Sequence, residues 1–436
     1  MKVLVTGATG AIGSALVTTL LGLHCEVVAV SRSGQGVNGA HGLRADFAQV
    51  PSRHWWSTQL EGVDVVVNAV GILRECGGSG FGAVHFAAPL ELFQGCVAAG
   101  VRHVVQLSAL GADADAATPF HRSKRSADDA LRGLPVASTI VQPSLVYGPS
   151  VQSAALFDAL AACPWIALPR GGAMAVQPVV LPDVVEGLAR IVMEPAVGTR
   201  TIAFVGPEPV ALRRYLEMLR ERQGAVAHQH VLAVPDTLAI GGARLLETVP
   251  GVPITADAVR MLVRGNTADV APFARLLQRT PRSVRQSPDP GADAARRRAA
   301  VLSLWLPPLR CVVALLWLWT GAVSLGLYPT ADSLALLATV GVTGALAPWA
   351  LYAAAVLDVA LGVLVLCTRG RMRRWVWLAQ LATMAAYTVV LSIQAPEWWL
   401  HPFGPLSKNL PLAALIGLLW ALEPVSRAPA SHLGKP

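Results

Sequence analysis

Beyond residue 300 the chain carries four long apolar windows, at about Val301–Leu327, Ala345–Cys367, Trp375–Ile393 and Leu406–Leu422. At about 1.5 Å of rise per helical residue the first three are long enough for the core of a bilayer. The fourth is short and is expected to tilt or pack inside the bundle. No other feature narrows the fold as far: residues 300–425 should form an all-α, four-helix transmembrane bundle. Composition agrees, with 53% apolar and only 14% charged residues and a mean hydropathy of +0.50, against roughly a quarter charged in an ordinary soluble enzyme. The same figures exclude a disordered chain, a collagen-like repeat and a free coiled coil. Trp55, Trp56 and Trp165 are the only tryptophans before residue 300, and the other nine follow it. Trp prefers membrane interfaces.

Charge placement sets sides. Arg296, Arg297 and Arg298 precede the first window, and Arg369, Arg371, Arg373 and Arg374 fill the connection between the second and third. The positive-inside bias puts both groups on the cytoplasmic side of an inner membrane. Asp332 and the segment Gln394–Ser407, which holds Trp398, Trp399 and no Lys or Arg, then face outward. An even number of spans returns the tail, Ser426–Pro436, to the cytoplasm, so a multi-pass protein with both termini cytoplasmic is expected. Two polar features sit where lipid disfavours them: Asp358 in the second window, and Lys408 with Asn409 at the fourth. Intramembrane ionisable groups mark sites, although Asp358 also suits a structural hydrogen bond and Lys408 an interfacial anchor.

The net charge of +8 does not mark a nucleic-acid surface, because only eight of the 35 basic residues and four of the 27 acidic ones lie from Ala300 onward and neither half is strongly basic. Six scattered cysteines form no CxxC or Cys/His cluster, which argues against a zinc site or a disulfide framework and for a reducing compartment.

The amino terminus has no secretory pattern. Its β-branched run from Lys2 to Thr6 leads directly into glycines. Strand-like runs recur at Glu26–Val30, Val63–Ala69, His103–Leu107, Val136–Val141 and Thr201–Val205. Helical patterns lie between them at about Ala11–Leu21, Ala83–Ala99, Arg122–Arg132, Val151–Ala162 and Asp183–Met193. This alternation is βαβ logic and predicts an α/β, doubly wound parallel sheet of Rossmann type over residues 1–285. Residues 206–285 read as a small helical cap, and residues 286–299, with their prolines and charges, as a linker.

The segment TGATGAIG, residues 6–13, follows a strand and opens a helix. Gly7, Gly10 and Gly13 stand where a chain turns tightly, approaches a pyrophosphate and packs a helix on the sheet, which makes Gly7, Thr9, Gly10, Ala11, Ile12 and Gly13 the phosphate-binding set. The second strand ends without the acidic residue that would bind a ribose 2′-hydroxyl. Arg32 stands there instead and suits a 2′-phosphate, so NADP is expected in preference to NAD.

TGATGAIG, the Asp46–Phe47 pair, NAVG (68–71), LSA (107–109) and QPSLVYGP (142–149) together resemble the extended or atypical short-chain dehydrogenase/reductases, NAD(P)-binding proteins of epimerase/dehydratase type. Within them the chain is most similar to the branch of the mitochondrial complex I subunit NDUFA9 and its bacterial relatives. The resemblance covers residues 1–285. Leu309–Arg310 and SKNLP (407–411) make the remainder resemble the DoxX-like four-helix membrane family. The first resemblance implies that Asp46 and Phe47 lie near the adenine and that Ala69, Val70 and Gly71 line the ribose, with Pro143 beside the cofactor. It further implies that Ser108 holds a substrate carbonyl and that Lys124 binds the nicotinamide ribose. It also exposes a departure. The family pairs a proton-donating tyrosine with a lysine four residues later, and here Phe120 precedes Lys124. His121 titrates in the right range but lies about 100° round a helix from the tyrosine position. Ser108, Lys124 and His121 are therefore the catalytic candidates.

Two functions follow. One is a membrane-anchored NAD(P)H-dependent oxidoreductase that passes hydride to a quinone or another lipophilic carbonyl. The other is a catalytically silent NADP-binding scaffold or sensor supporting a membrane complex, with the lipid bilayer and a membrane-protein partner as its contacts.

Overall fold

The computed structural model describes residues 1–75, 80–224, 228–247, 254–287, 291–402 and 404–424. The tail Ser426–Pro436 and Cys76 lie outside the described residues. Two compact units emerge, residues 1–301 and 302–436.

In the first unit, seven parallel strands form the sheet: β1 (Lys2–Thr6), β2 (Glu26–Ser31), β3 (His41–Arg44), β4 (Val65–Asn68), β5 (His103–Leu107), β6 (Ser138–Pro143) and an edge strand, Thr199–Phe204. From that edge strand the order runs β6, β5, β4, β1, β2, β3. The chain therefore winds one way from β1 and the other way from β4. The crevice beyond the carboxyl ends of β1 and β4 is the switch point where such sheets take ligands. Runs such as Val3–Val5 and Val65–Val67 are buried throughout because helices cover both faces. Leu16 and Leu20 of α1 (Ala11–Gly22) pack on one face with Leu188 and Val192 of a later helix, Leu181–Met193. Trp56 of α2 (Arg53–Gln59), Phe93 of α3 (Ala88–Ala98) and Leu131 of α4 (Pro119–Arg132) pack on the other.

Helix α4 starts three residues before the periodicity indicated. Thr118 accepts a bond from the His121 amide at 3.3 Å and Pro119 occupies the first helical position, a capped start that an apolar period does not register. Residues beyond the edge strand are largely helical. They share a core with earlier ones, as Tyr215 and Leu219 pack with Tyr147 and Phe157, while Phe273 returns to the sheet and stacks on Phe204 at 4.1 Å. Part of the charged stretch read as a linker is helical, since one helix runs from Gly291 to Ala322. Alanine and arginine favour helix, and Arg296 lies 4.8 Å from the Tyr147 ring centroid.

The second unit continues that helix through Leu327, adds a short helix at Thr330–Thr339, and then α5 (Leu346–Cys367), α6 (Gly370–Gln394) and α7 (Asn409–Leu422). Ala295–Leu327, Leu346–Cys367 and Gly370–Gln394 are long and apolar enough to cross a membrane by length and composition, whereas α7 has 14 residues. A Cβ on Gly321 would lie 2.8 Å from the Ala355 carbonyl oxygen, and one on Gly362 2.9 Å from that of Ala314. Small residues thus let α5 and the first span touch backbone to backbone. Asp358 and Gln380 are buried in this bundle, Gln380 donating to the Leu361 carbonyl at 3.4 Å, and Lys408 is exposed.

Candidate dinucleotide site

β1 ends at Thr6 and the chain reverses at Gly7, whose φ of +66° suits glycine. A Cβ there would stand 2.7 Å from the Ala69 carbonyl oxygen, and one on Gly13 would overlap the carbonyl oxygen of Gly7. The Gly10 amide closes the turn by donating to that oxygen at 2.9 Å. Gly10 then caps α1 without any side-chain bond. The first-turn amides of Ala11, Ile12 and Gly13 are thereby presented to a ligand at the positive end of the helix, and Thr9 and Gly10 are exposed beside them. This bare cradle fits a dinucleotide pyrophosphate.

At the end of β2, Arg32 is exposed and makes no hydrogen bond or ion pair with a described residue. Asp46 accepts the Ala48 amide at 3.0 Å, capping a single turn. Phe47 is buried with its ring edge-on to Trp56 at 6.0 Å, so its side chain belongs to the core. Ala69 follows β4, its amide bonding Thr6 at 3.3 Å. Pro143 ends β6, and its carbonyl accepts the Leu110 amide at 3.0 Å.

Lys124 is buried, and its ammonium donates to the carbonyls of Val70 at 3.1 Å and Leu107 at 3.0 Å. A Cβ on Gly71 would lie 3.3 Å from its Nζ, so Gly71 keeps this part of the crevice open. Burial lowers the ammonium to about 8, opposed by the nearby Asp128 carboxylate. Lys124 thus joins the loops after β4 and β5 and leaves donor capacity for a ribose hydroxyl.

Ser108 follows directly on β5. Its hydroxyl is buried and donates to Asp128 Oδ2 at 2.5 Å. The alternation of β5 explains this: Val105 and Leu107 pack on the α1 face, which leaves Gln106 and Ser108 toward α4. Burial raises Asp128 to about 6, with the Ser108 bond and Lys124 acting against the rise. Phe120 is buried edge-on to Phe81 at 6.0 Å and to His85 at 5.5 Å. His121 is buried beneath Gly111, and a Cβ on Gly111 would meet its ring at 2.9 Å. Its pKa is lowered by burial and by Arg264, against the pull of Asp113. His121 lies three residues before Lys124 on α4, with Arg264 and Asp113 as its charged neighbours where Lys124 has Asp128.

Two groups escaped the sequence reading. His85 Nε2 accepts the Ile72 amide at 3.0 Å, which leaves Nδ1 protonated to donate to Ser123 Oγ at 3.0 Å, and Ser123 in turn donates to the Phe120 carbonyl at 2.8 Å. Burial, then the Lys124 charge, lowers His85 to about 3. Asp128 was within reach of helix periodicity, standing one turn beyond Lys124 on the same face. His85 had no local signal, because only the tertiary fold brings it to α4.

Residues 7–153 match the family model described as NAD(P)H-binding, and residues 314–417 the one described as DoxX-like family. Over 213 residues the chain is 25% identical to NADH dehydrogenase [ubiquinone] 1 alpha subcomplex subunit 9, mitochondrial, of Mus musculus, covering 47% of this chain and 56% of that protein. The chain thus spans about half the length of the curated relative it matches. Among solved structures, MoeE5 in complex with UDP-glucuronic acid and NAD matches with a TM-score of 0.52 at 20% identity over 68% of this chain and 99% of that one. A nucleoside-diphosphate-sugar epimerase from Staphylococcus aureus matches with a TM-score of 0.53 at 15% identity over 65% and 98%. These structural likenesses show the fold. The chain carries a Rossmann-type domain that matches the NAD(P)H-binding model and a DoxX-like region with apolar helices of membrane-spanning length.

Proposed function

We propose that this protein is a membrane-anchored NADP-binding scaffold or sensor, in which nucleotide occupancy rather than carbonyl chemistry is the output. One observation carries the reading: the turn at Gly7, Gly10 and Gly13 and the buried Lys124 suit a dinucleotide, while neither position 120 nor Ser108 offers a free hydroxyl to a substrate. Phe120 has no hydroxyl, and the Ser108 hydroxyl is committed to Asp128. The amides of Ala11, Ile12 and Gly13 would hold the pyrophosphate and Arg32 a 2′-phosphate. Lys124 would take the ribose beside the nicotinamide. When bound, the nicotinamide supplies a hydride at its C4.

A second reading is favoured by the apolar helices on the same chain. A membrane-dissolved quinone depends less on a protein acid than a simple carbonyl does, so hydride transfer to a quinone would tolerate Phe120. The positive-inside placement of the arginines supports an inner membrane with the nucleotide domain and both termini cytoplasmic. The mouse relative, by name a subunit of an NADH dehydrogenase [ubiquinone] 1 alpha subcomplex, supports assembly with a membrane-protein partner.

The test uses the full chain in detergent. NADPH should bind and raise the melting temperature without being oxidised when a short-chain quinone or a lipophilic aldehyde is added. Oxidation with quinone alone would select the second reading, and oxidation with the aldehyde would overturn both.

A further inference from the structure

The arginine end of the second unit is built as more than a topology signal. Five arginines gather there: Arg310 from the first span, Arg369 from the turn between α5 and α6, and Arg371, Arg373 and Arg374 from the first turns of α6. Among the described residues a single carboxylate pairs with them. Glu423, buried at the carboxyl end of α7, accepts Arg310 Nη2 at 3.0 Å, Arg373 Nη1 at 3.4 Å and the Gly370 amide at 3.3 Å. Arg373 also donates to the Thr368 carbonyl. Arg374 lies over the Trp420 ring at 4.6 Å from its centroid.

A positive-inside bias needs only that arginines lie in the loop. Here Arg373 is drawn inside the bundle and is 7% exposed, which pins the turn to the first span and to α7 through one shared carboxylate. The charge on this platform is far from balanced. The Nε atoms of Arg310 and Arg373 are buried without a hydrogen-bond partner, and Arg369 and Arg371 are exposed and form no ion pair with a described residue. A fixed cluster of guanidinium groups with one carboxylate among them is complementary to an anion that accepts paired hydrogen bonds, such as a phosphate. Its borders are apolar: Met372 and Trp375 on α6 are 64% and 61% exposed, and Leu366 on α5 is 43% exposed. A free phosphate has no use for such borders, whereas a phospholipid lays its chains against them while its headgroup meets the arginines.

We propose that this end of the bundle binds the headgroup phosphate of an anionic phospholipid, with Arg369 and Arg371 as the contacting groups and the Glu423 clamp holding their turn in place. The proposal rests on the membrane-anchored part of the reading above and is independent of the nucleotide's role.

The full chain in zwitterionic detergent is offered phosphatidylglycerol, phosphatidylcholine or inorganic phosphate. Retained lipid is read by native mass spectrometry and the melting temperature by tryptophan fluorescence. At about fivefold per arginine near an anionic surface, wild-type protein should retain phosphatidylglycerol over phosphatidylcholine by roughly tenfold or more. That preference should fall toward parity in Arg369→Gln/Arg371→Gln. The charge-preserving pair Arg369→Lys/Arg371→Lys should keep part of it, and it decides the matter if the glutamine pair loses its helicity. Equal retention of both lipids by the wild type, an unchanged preference in either pair, or inorganic phosphate stabilising as much as phosphatidylglycerol would overturn the proposal. Flotation of the wild type with phosphatidylcholine vesicles reports separately on membrane anchoring, so the two failures are distinguishable.

Discussion

Ser108 Oγ donates to Asp128 Oδ2 at 2.5 Å, and Asp128 stands one helical turn beyond Lys124. The pair fastens the end of β5 to α4 and commits the only hydroxyl of the LSA segment to a carboxylate. Phe120, four residues before Lys124, adds no hydroxyl of its own.

Restoring the acid tests this directly. A positioned general acid is worth roughly 10²- to 10⁴-fold in rate. Phe120→Tyr should therefore raise NADPH-dependent reduction of a lipophilic aldehyde by at least about tenfold over a very low wild-type rate. The dissociation constant for NADPH should stay unchanged, because Phe120 packs against Phe81 and His85 rather than the pyrophosphate cradle. A brisk wild-type reductase whose rate disappears in His121→Ala would contradict it.

The proposed NADP preference can be tested at Arg32. It is exposed at the end of β2 with no partner among the described residues, and a charged hydrogen bond contributes about 1.5–3 kcal/mol. Calorimetry on Arg32→Ala should show NADPH binding weakened about tenfold or more and NADH binding unaffected. Equal wild-type affinities for the two cofactors would remove the basis for an NADP preference.

Acidification should weaken the nucleotide-binding unit. Burial, then Lys124, lowers His85 to about 3, and burial, then Arg200, lowers His103 to about 4. Above the ordinary value of about 6.5 these rings are neutral in both states. Below it the unfolded chain takes up protons that the folded protein refuses, so stability is lost as pH falls from about 6.5 toward 4, by up to roughly 1.4 kcal/mol per pH unit for each ring. Asp128 acts the other way. Raised to about 6, it holds its proton in the folded state where the unfolded chain has lost it, so its penalty grows as pH rises from about 4 to 6. His121, also lowered, adds to the histidine side, which outweighs the single carboxyl. Urea melts between pH 7.5 and 4.5 should show this slope, and His103→Gln should flatten it by about one proton.

Orientation is open to reporters. With the arginines at 369–374 on the cytoplasmic side, alkaline phosphatase joined after Gly370 should be inactive and the same enzyme joined near Trp398 active. The reverse pattern would place the nucleotide domain outside.

Sequence alone determined the two architectures, because each rests on a repeating local pattern. Apolar windows as long as a bilayer is thick and βαβ alternation opened by TGATGAIG survive any detail of packing. The glycine cradle was legible for the same reason: a turn this tight excludes side chains at Gly7 and Gly13, and the chain records that by having none. The absence of a tyrosine at Phe120 was equally plain. Tertiary structure decided what the remaining side chains do. The alternation of β5 turns Ser108 toward Asp128 on α4, and the fold buries His121 under Gly111. His85 joins the site only because the chain brings it against Ile72 and Ser123. Glu423 gathers Arg310 and Arg373 from helices remote in sequence. Those pairings depend on which faces meet across elements, and no local period of 2 or 3.6 residues records that.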